Sequence, residues 1–273
     1  MKLLLKSILF ISAILLLISF VDFNKDAEQT NKRITSNHKM IFAHRGLPYL
    51  PENTWENFEQ SKAVGFKSIE TDVQMTKDNK LVIFHDKNAN RLLGIKKNIN
   101  ELKWSDVKQQ NIIYDSKTTS HKILSLEELL KASSQFDYIY LDMKLTNKSI
   151  ADSLIVLLNK YQAHENVLIA DANILFLAYI KYQCPKIKTV LEGFNKGKEW
   201  TYYFIPESVE PDYWASFFNE VDDKHIEFLN KKNLLARKIV YGIDKKNTHK
   251  ALEMGLQHLI VDYHPSIQNF LSY

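Results

Sequence analysis

The sequence predicts an α/β fold, a closed (β/α)8 TIM barrel with a small insertion after the second strand. Three observations predict it. Apolar strand-length runs alternate with helix-length segments about eight times between Met40 and Val261, the pattern of a parallel sheet wrapped by helices. The stretch Ala63-Val-Gly-Phe-Lys-Ser-Ile-Glu-Thr-Asp72 is echoed by Glu253-Met-Gly-Leu-Gln-His-Leu-Ile-Val-Asp262. In both, a helix stops at a glycine (Gly65, Gly255), an apolar strand follows, and an aspartate closes the unit. Titratable residues also collect at the ends of the expected strands, where barrels of this kind keep their active sites.

The elements follow in order. Met40 to His44 is a short apolar strand ending in a histidine. Thr54 can cap a helix whose apolar positions Trp55, Phe58 and Val64 share a side, and Gly65 stops it. Phe66–Val73 and Leu81–Phe84 are strands. Residues 86–122 are polar and irregular, apart from a short amphipathic piece near Trp104 and Val107. Helices are expected at 126–132, 150–161, 174–182, 224–231 and 248–254. Strands are expected at 138–143, 167–170, 187–191, 214–218, 237–242 and 259–261. The aromatic region 193–224 shows no clear period apart from the strand near Trp214.

Composition narrows the function. With 45% hydrophobic and 25% charged residues the chain is globular. It has 7 glycines, and neither GxGxxG nor GxxxxGK[ST] occurs, so Gly-rich nucleotide loops have no support. The formal charge is +4, and its basic clusters, such as Lys96-Lys97, Lys231-Lys232 and Lys245-Lys246, are only pairs. That is a solvated surface and not a nucleic-acid stripe. The single Cys184 excludes an internal disulfide and a cysteine-based zinc cluster; beside Tyr182 and Pro185 it reads as a packing position near a helix end.

At the N-terminus, Lys2 and Lys6 precede an uncharged run from Ile8 to Val21. Its length suits a signal-peptide core and is short for a membrane span. No small-x-small triplet follows Val21, so two readings stand for residues 1–21: a cleaved signal peptide or an uncleaved N-terminal anchor. Either exports the rest of the chain, to a periplasmic or extracellular place, and the second adds membrane association. Residues 22–38 read as a polar linker and 39–273 as the barrel.

Three segments carry candidate chemistry: His44-Arg45-Gly46 with Pro51-Glu52-Asn53-Thr54; Glu70-Thr71-Asp72 with His85-Asp86; and Asp142-Met143-Lys144. Glu70 and Asp72 are two apart on a strand, so they face the same way. Two carboxylates on one buried face repel unless a cation or a shared proton joins them. Oxygen-only ligands favour Mg²⁺ or Ca²⁺, and Asp142 is a candidate third ligand. Ion pairs with Arg45 and Lys144 are the alternative reading. His44 and His85 each end an apolar run and have the right intrinsic pKa for proton transfer near neutrality. The other histidines, including His121, His164, His225, His249 and His258, read as surface or packing.

The stretch IFAHRGLPYLPENTWENFEQSKAVGFKSIETDVQMTKDNKLVIFHD resembles the start of the glycerophosphodiester phosphodiesterase family. The family pattern HRG, PENT, E-x-D-x-x-x-T-x-D and V-x-x-HD is present in order. Weaker similarity continues through ILSLEELL, LDMK and GLQHLIVDYHP, so the resemblance covers roughly residues 40–265. It implies a (β/α)8 barrel that hydrolyses glycerophosphodiesters to glycerol 3-phosphate and an alcohol with a divalent cation. Carried over, His44 and His85 would be the acid/base pair, Arg45 and Lys144 would bind phosphate, and Glu70, Asp72 and Asp142 would hold the metal. Glu52 and Asn53 would order the first loop and touch the metal or Arg45, and Asp86 would orient His85.

The chain departs from the family pattern twice. Asp142 stands where the family usually has Glu, and another acid such as Glu192 is available as a ligand. Tyr241-Gly-Ile-Asp244 stands where Trp-Thr-Val-Asn is common, which bears on substrate range. Aromatic residues Trp200, Tyr202, Tyr203, Phe204, Tyr213 and Trp214 either pack or clasp a choline-like cation. A lysophospholipid or wall-polymer substrate, a non-catalytic phosphate-binding barrel and a membrane-tethered structural protein are the rival functions. No protein partner is evident.

Overall fold

A computed structural model describes residues 39–271 of the protein. The N-terminal apolar segment (1–21) and the polar linker (22–38) lie outside the described residues. Among the described residues no helix is long and apolar enough to cross a membrane.

Eight parallel strands close a barrel. They are β1 (Met40–His44), β2 (Ser68–Met75), β7 (Tyr138–Met143), β8 (Val167–Asp171), β9 (Lys188–Glu192), β10 (Tyr213–Phe217), β11 (Lys238–Ile243) and β12 (His258–Val261). Each pairs with the next, and β12 returns to β1. The fold class read from the sequence is the fold observed. The period of two sorts every strand. Phe42, Tyr140, Leu168, Ala170, Val190, Ala215, Ile239 and Ile260 fill the interior as one buried cluster. The alternate residues, such as Ala43, Ile69, Ile139, Ile169 and Leu259, belong to a second cluster shared with the helices.

The helices are α1 (Trp55–Ala63), α4 (Leu126–Lys131), α5 (Lys148–Tyr161), α6 (Ile174–Gln183), α7 (Asp223–Lys231), α8 (Thr248–Glu253) and α9 (Gln268–Leu271), with α2 (Asn90–Leu93) and α3 (Trp104–Val107) in the insertion. Side chains cap their starts, Thr54 as the sequence suggests. Thr54 accepts from the Asn57 amide, Ser125 forms a capping box with Glu128, and Asn147 accepts from the Ile150 amide. Cys184 is buried at the C-terminal end of α6, a packing position. One crossover has no α-helix. Between β9 and β10 the chain makes 3-10 turns at Glu199–Phe204 and Glu207–Val209. Pro206 and Pro211 interrupt that stretch and remove helix donors, which is why region 193–224 shows no clean period.

The insertion is more ordered than its composition suggests. Strand β3 (Leu81–Ile83) runs antiparallel to β2, and β6 (Leu124–Ser125) runs antiparallel to β3. Between them β4 (Asn111–Tyr114) and β5 (Lys117–Lys122) form a hairpin. Leu92, Leu93, Ile99, Leu102, Val107, Ile112 and Ile123 close over Val82 and Phe84 as a core of their own. The expectation of an irregular 86–122 is corrected here. Lys117–Lys122 is mostly exposed, so no apolar alternation marks it. Its turn uses Asp115 and Ser116, both at positive φ, where Asn-Gly would be the readable signal.

Candidate active site

The site sits at the C-terminal end of the barrel. Its first loop, residues 45–53, is gathered by the side chain of Asn57 in α1. Asn57 Oδ1 accepts from the Leu47 amide at 2.6 Å, and its Nδ2 donates to the Leu47 and Pro51 carbonyls, each at 3.1 Å. The carboxamide lies where a side chain on residue 46 would go. A Cβ at Gly46 would be 2.4 Å from Asn57 Cγ, and the residue has φ +95°, so only glycine fits. Replacing Asn57 with Ala should therefore destabilise the fold by about 1–3 kcal/mol, because buried backbone groups lose their partners. Urea unfolding checks this, with Gly46→Ala expected to do the same.

That knot holds two residues in left-handed backbone: Arg45 at φ +55° and Asn53 at φ +58°. Non-glycine residues keep such angles only when the surroundings fix them. Here the Arg45 amide donates to Glu70 Oε2 at 3.1 Å, and the Asn53 amide donates to the Arg45 carbonyl at 3.0 Å. Asn53 Nδ2 donates to Asp72 Oδ2 at 2.8 Å while its Oδ1 accepts from Thr71. Asn53 thus orders the loop and orients Asp72.

Strand register brings the acids together. His44 lies beside Glu70, and Asp72 beside Asp142. Ligand atoms of Glu70, Asp72 and Asp142 all lie within 4.8 Å of one another. The set offers oxygen alone, which suits a hard divalent cation. Asp72 Oδ1 is buried with no aligned hydrogen bond, although Lys144 Nζ is 2.9 Å away; the residues fit such an ion. Lys144 also pairs with Asp142, and Arg45 Nε is 3.2 Å from Asp72 Oδ2. Burial, then the neighbouring Asp72 and Asp142, push the Glu70 carboxyl well up. Burial opposes the Asp72 charge, but Arg45 and Lys144 overcome it and hold that carboxyl low. Both readings of the acids are therefore realised geometrically: they cluster, and Arg45 and Lys144 pair with them.

The two histidines face this cluster, each with its own acid. His44 Nδ1 is 2.7 Å from Asp262 Oδ1, and its Nε2 is 4.0 Å from Glu70 Oε2. His85 Nδ1 is 2.8 Å from Asp86 Oδ1. An ionised carboxylate only accepts, so each Nδ1 carries the proton and each Nε2 is left to exchange one. Asp262 was not singled out for the site from sequence, although the glycine-to-aspartate echo ends on it.

A second residue absent from the sequence reading is Arg91 of α2. It donates to Glu52 Oε2 and Oε1 at 2.7 and 2.8 Å, and to Asp86 Oδ2 and Oδ1 at 2.6 and 2.9 Å. The hydrogen bonds from Arg91, then the bond to His85, hold Asp86 at a pKa of about 2. Glu52 lies 3.8 Å from Arg45, so it acts on the loop mainly through Arg91. The insertion thereby fixes the acid behind His85. Arg91→Ala should cut turnover roughly 10–100-fold through misplacement of His85. Arg91→Lys should restore little of it, since an ammonium cannot span both carboxylates bidentately; steady-state kinetics read this.

The remaining wall is formed by β9, β10 and β11. Glu192 accepts from the Tyr140 hydroxyl at 2.6 Å, and it lies outside the three-carboxylate cluster. Of the aromatic residues flagged in region 193–224, Tyr213 and Trp214 are buried, while Trp200, Tyr203 and Phe204 are exposed. Of the remaining histidines, His225, His258 and His264 are buried, His225 beside Glu199 and His258 against the Ala236 carbonyl.

Comparison with known proteins gives this geometry its context. The model of the glycerophosphoryl diester phosphodiesterase family matches residues 44–265. A glycerophosphodiester phosphodiesterase of Bacillus subtilis is 28% identical over 275 residues, covering 90% of this chain and 91% of that protein. One from Bacillus altitudinis is 29% identical over 156 residues, 54% of this chain, and the chain spans only 64% of that relative's length. Among solved structures, an Oleispira antarctica phosphodiesterase in complex with the product sn-glycerol-3-phosphate superposes with a TM-score of 0.75 at 19% identity. That match covers 86% of this chain and 97% of the other. A Parabacteroides distasonis glycerophosphoryl diester phosphodiesterase gives 0.71 at 18%, covering 90% and 91%. At these identities the structures speak for the barrel alone; the family model, whose match takes in both histidines and the acid cluster, shows that the chain belongs to the glycerophosphoryl diester phosphodiesterase family.

Proposed function

We propose that the protein hydrolyses glycerophosphodiesters to glycerol 3-phosphate and an alcohol, with two histidines as acid and base and a divalent cation, Mg²⁺ or Ca²⁺, as cofactor. One observation carries the reading: three clustered carboxylates faced by two histidines, each backed by its own acid. Family membership supports it, as does the product bound to the Oleispira antarctica relative.

Glu70, Asp72 and Asp142 would hold the cation, which when bound supplies positive charge for the non-bridging phosphate oxygens. The chain's own residues do the rest. Arg45 offers a planar fork that matches two phosphate oxygens, and Lys144 adds a point charge beside it. One histidine Nε2 takes the proton from the nucleophile, either water or the substrate's 2-hydroxyl. The other gives a proton to the leaving alcohol. Asp262 and Asp86 hold the rings in the required tautomer and stabilise the imidazolium that forms.

Phosphorus NMR of a reaction with glycerophosphocholine tests the proposal. Glycerol 3-phosphate is the expected product, and a transient cyclic phosphate would identify the 2-hydroxyl as nucleophile. No cleavage, or release of phosphocholine, would contradict the reading. Export is also part of the proposal, and rests on Lys2, Lys6 and the apolar run that follows.

A further inference from the structure

The inward-facing residues at the mouth divide into two halves. One half, at the ends of β1, β2, β7 and β12, carries His44, the acid cluster, Arg45 and Lys144, with His85 beside it on the segment that follows β3. The other half lies across from it. On β9, Glu192 is level with Ala215 of β10, an interior residue, so Glu192 also points inward. Phe217, two residues further along β10, has the same facing and lies beside Tyr241 of β11. The two rings meet edge to face at 4.4 Å, and Phe217 is still 50% exposed.

This wall is built and not incidental. The β11–β12 register shifts between Val240 and Ile243, and Gly242 within the shift has φ +73°. The irregularity comes after Tyr241, which keeps the inward facing of Ile239, while Ile243 turns to the helix side. A Cβ at Gly242 would be 3.1 Å from the Phe217 ring, so the glycine also gives Phe217 its place. Beneath, the fully buried Tyr140 donates its hydroxyl to Glu192 Oε1. That holds one carboxyl oxygen and leaves Oε2 without a hydrogen-bond partner among the described residues. Among the described residues no cationic side chain is in hydrogen-bond contact with the acid.

We infer that Glu192, Phe217 and Tyr241 form a subsite for a cationic substituent of the diester, a primary or quaternary ammonium on the alcohol. The inference rests on the phosphodiesterase reading and names the substrate class within it. A carboxylate oxygen beside two aromatic rings is suited to an organic cation. The ring faces attract the charge, and the acid completes its neutralisation in a partly desolvated setting. A neutral polyol gains neither term. The wall stands across the mouth from Arg45 and Lys144, so a zwitterionic diester would find an opposite charge at each end.

The test compares kcat/KM for glycerophosphoethanolamine and glycerophosphocholine with that for glycerophosphoglycerol, which differs in the charge of the alcohol. The wild-type protein should favour the cationic diesters roughly tenfold, mainly through KM. Glu192→Gln keeps an acceptor for Tyr140, and should bring the ratio close to one. Tyr241→Leu should reduce it more for the quaternary than for the primary ammonium. A wild-type ratio near one, or a ratio unchanged by Glu192→Gln, overturns the subsite while leaving the phosphodiesterase reading intact. Turnover of none of the three diesters overturns both.

Discussion

His44→Ala and His85→Ala are each expected to lower diester turnover by about 10²–10⁴-fold, the usual loss for a positioned general acid or base. Both side chains are partly exposed and neither belongs to the core, so both variants should fold. The two losses should differ in kind. A diester with a good leaving group, such as a nitrophenyl ester, does not need its leaving oxygen protonated. It should restore much of the rate to the variant lacking the acid and little to the one lacking the base. Steady-state rates on both esters assign the roles. Equal rescue of both variants would mean that neither histidine is the acid.

The second large effect concerns the acids, where activity and stability should part. Glu70→Gln and Asp72→Asn should each cost about 10³-fold in turnover, several kcal/mol of lost charge stabilisation. Their metal-free stabilities should move differently. The Glu70 carboxyl is pushed well up by burial and then by Asp72 and Asp142, so Gln mimics its favoured neutral form. Urea unfolding in chelator should find Glu70→Gln within about 1 kcal/mol of wild type or above it. Asp72→Asn instead leaves Arg45 and Lys144 without their shared buried partner. It should be destabilised by about 3–5 kcal/mol, the cost of breaking a buried pair.

Most of the architecture was legible because barrel strands are buried on both faces and read as apolar runs. The polar strand ends then stand out against them. His44, Glu70, Asp72, His85 and Asp142 were readable for that reason, and the structure brings all five together. What escaped depends on partners distant in sequence. Arg91 lies in a stretch that reads as polar and irregular, and its role exists only because α2 folds over Glu52 and Asp86. Asn57 reads as an ordinary polar helix residue until its carboxamide is seen to gather the loop carbonyls. Asp262 carried a signal, since the repeated glycine-to-aspartate spacing places it as it places Asp72. Only closure of β12 onto β1 shows that it meets His44. The hairpin at 111–122 escaped because an exposed two-stranded ribbon needs no apolar alternation.

In the proposed mechanism three carboxylates hold a divalent cation on which diester hydrolysis depends. The most direct measurement is glycerol 3-phosphate release from glycerophosphocholine or glycerophosphoethanolamine by protein stripped with chelator, before and after Mg²⁺ or Ca²⁺ is restored. Activity should be lost on stripping and recovered with one of the two ions, with no recovery in Asp72→Asn. Full activity in the stripped protein would contradict it.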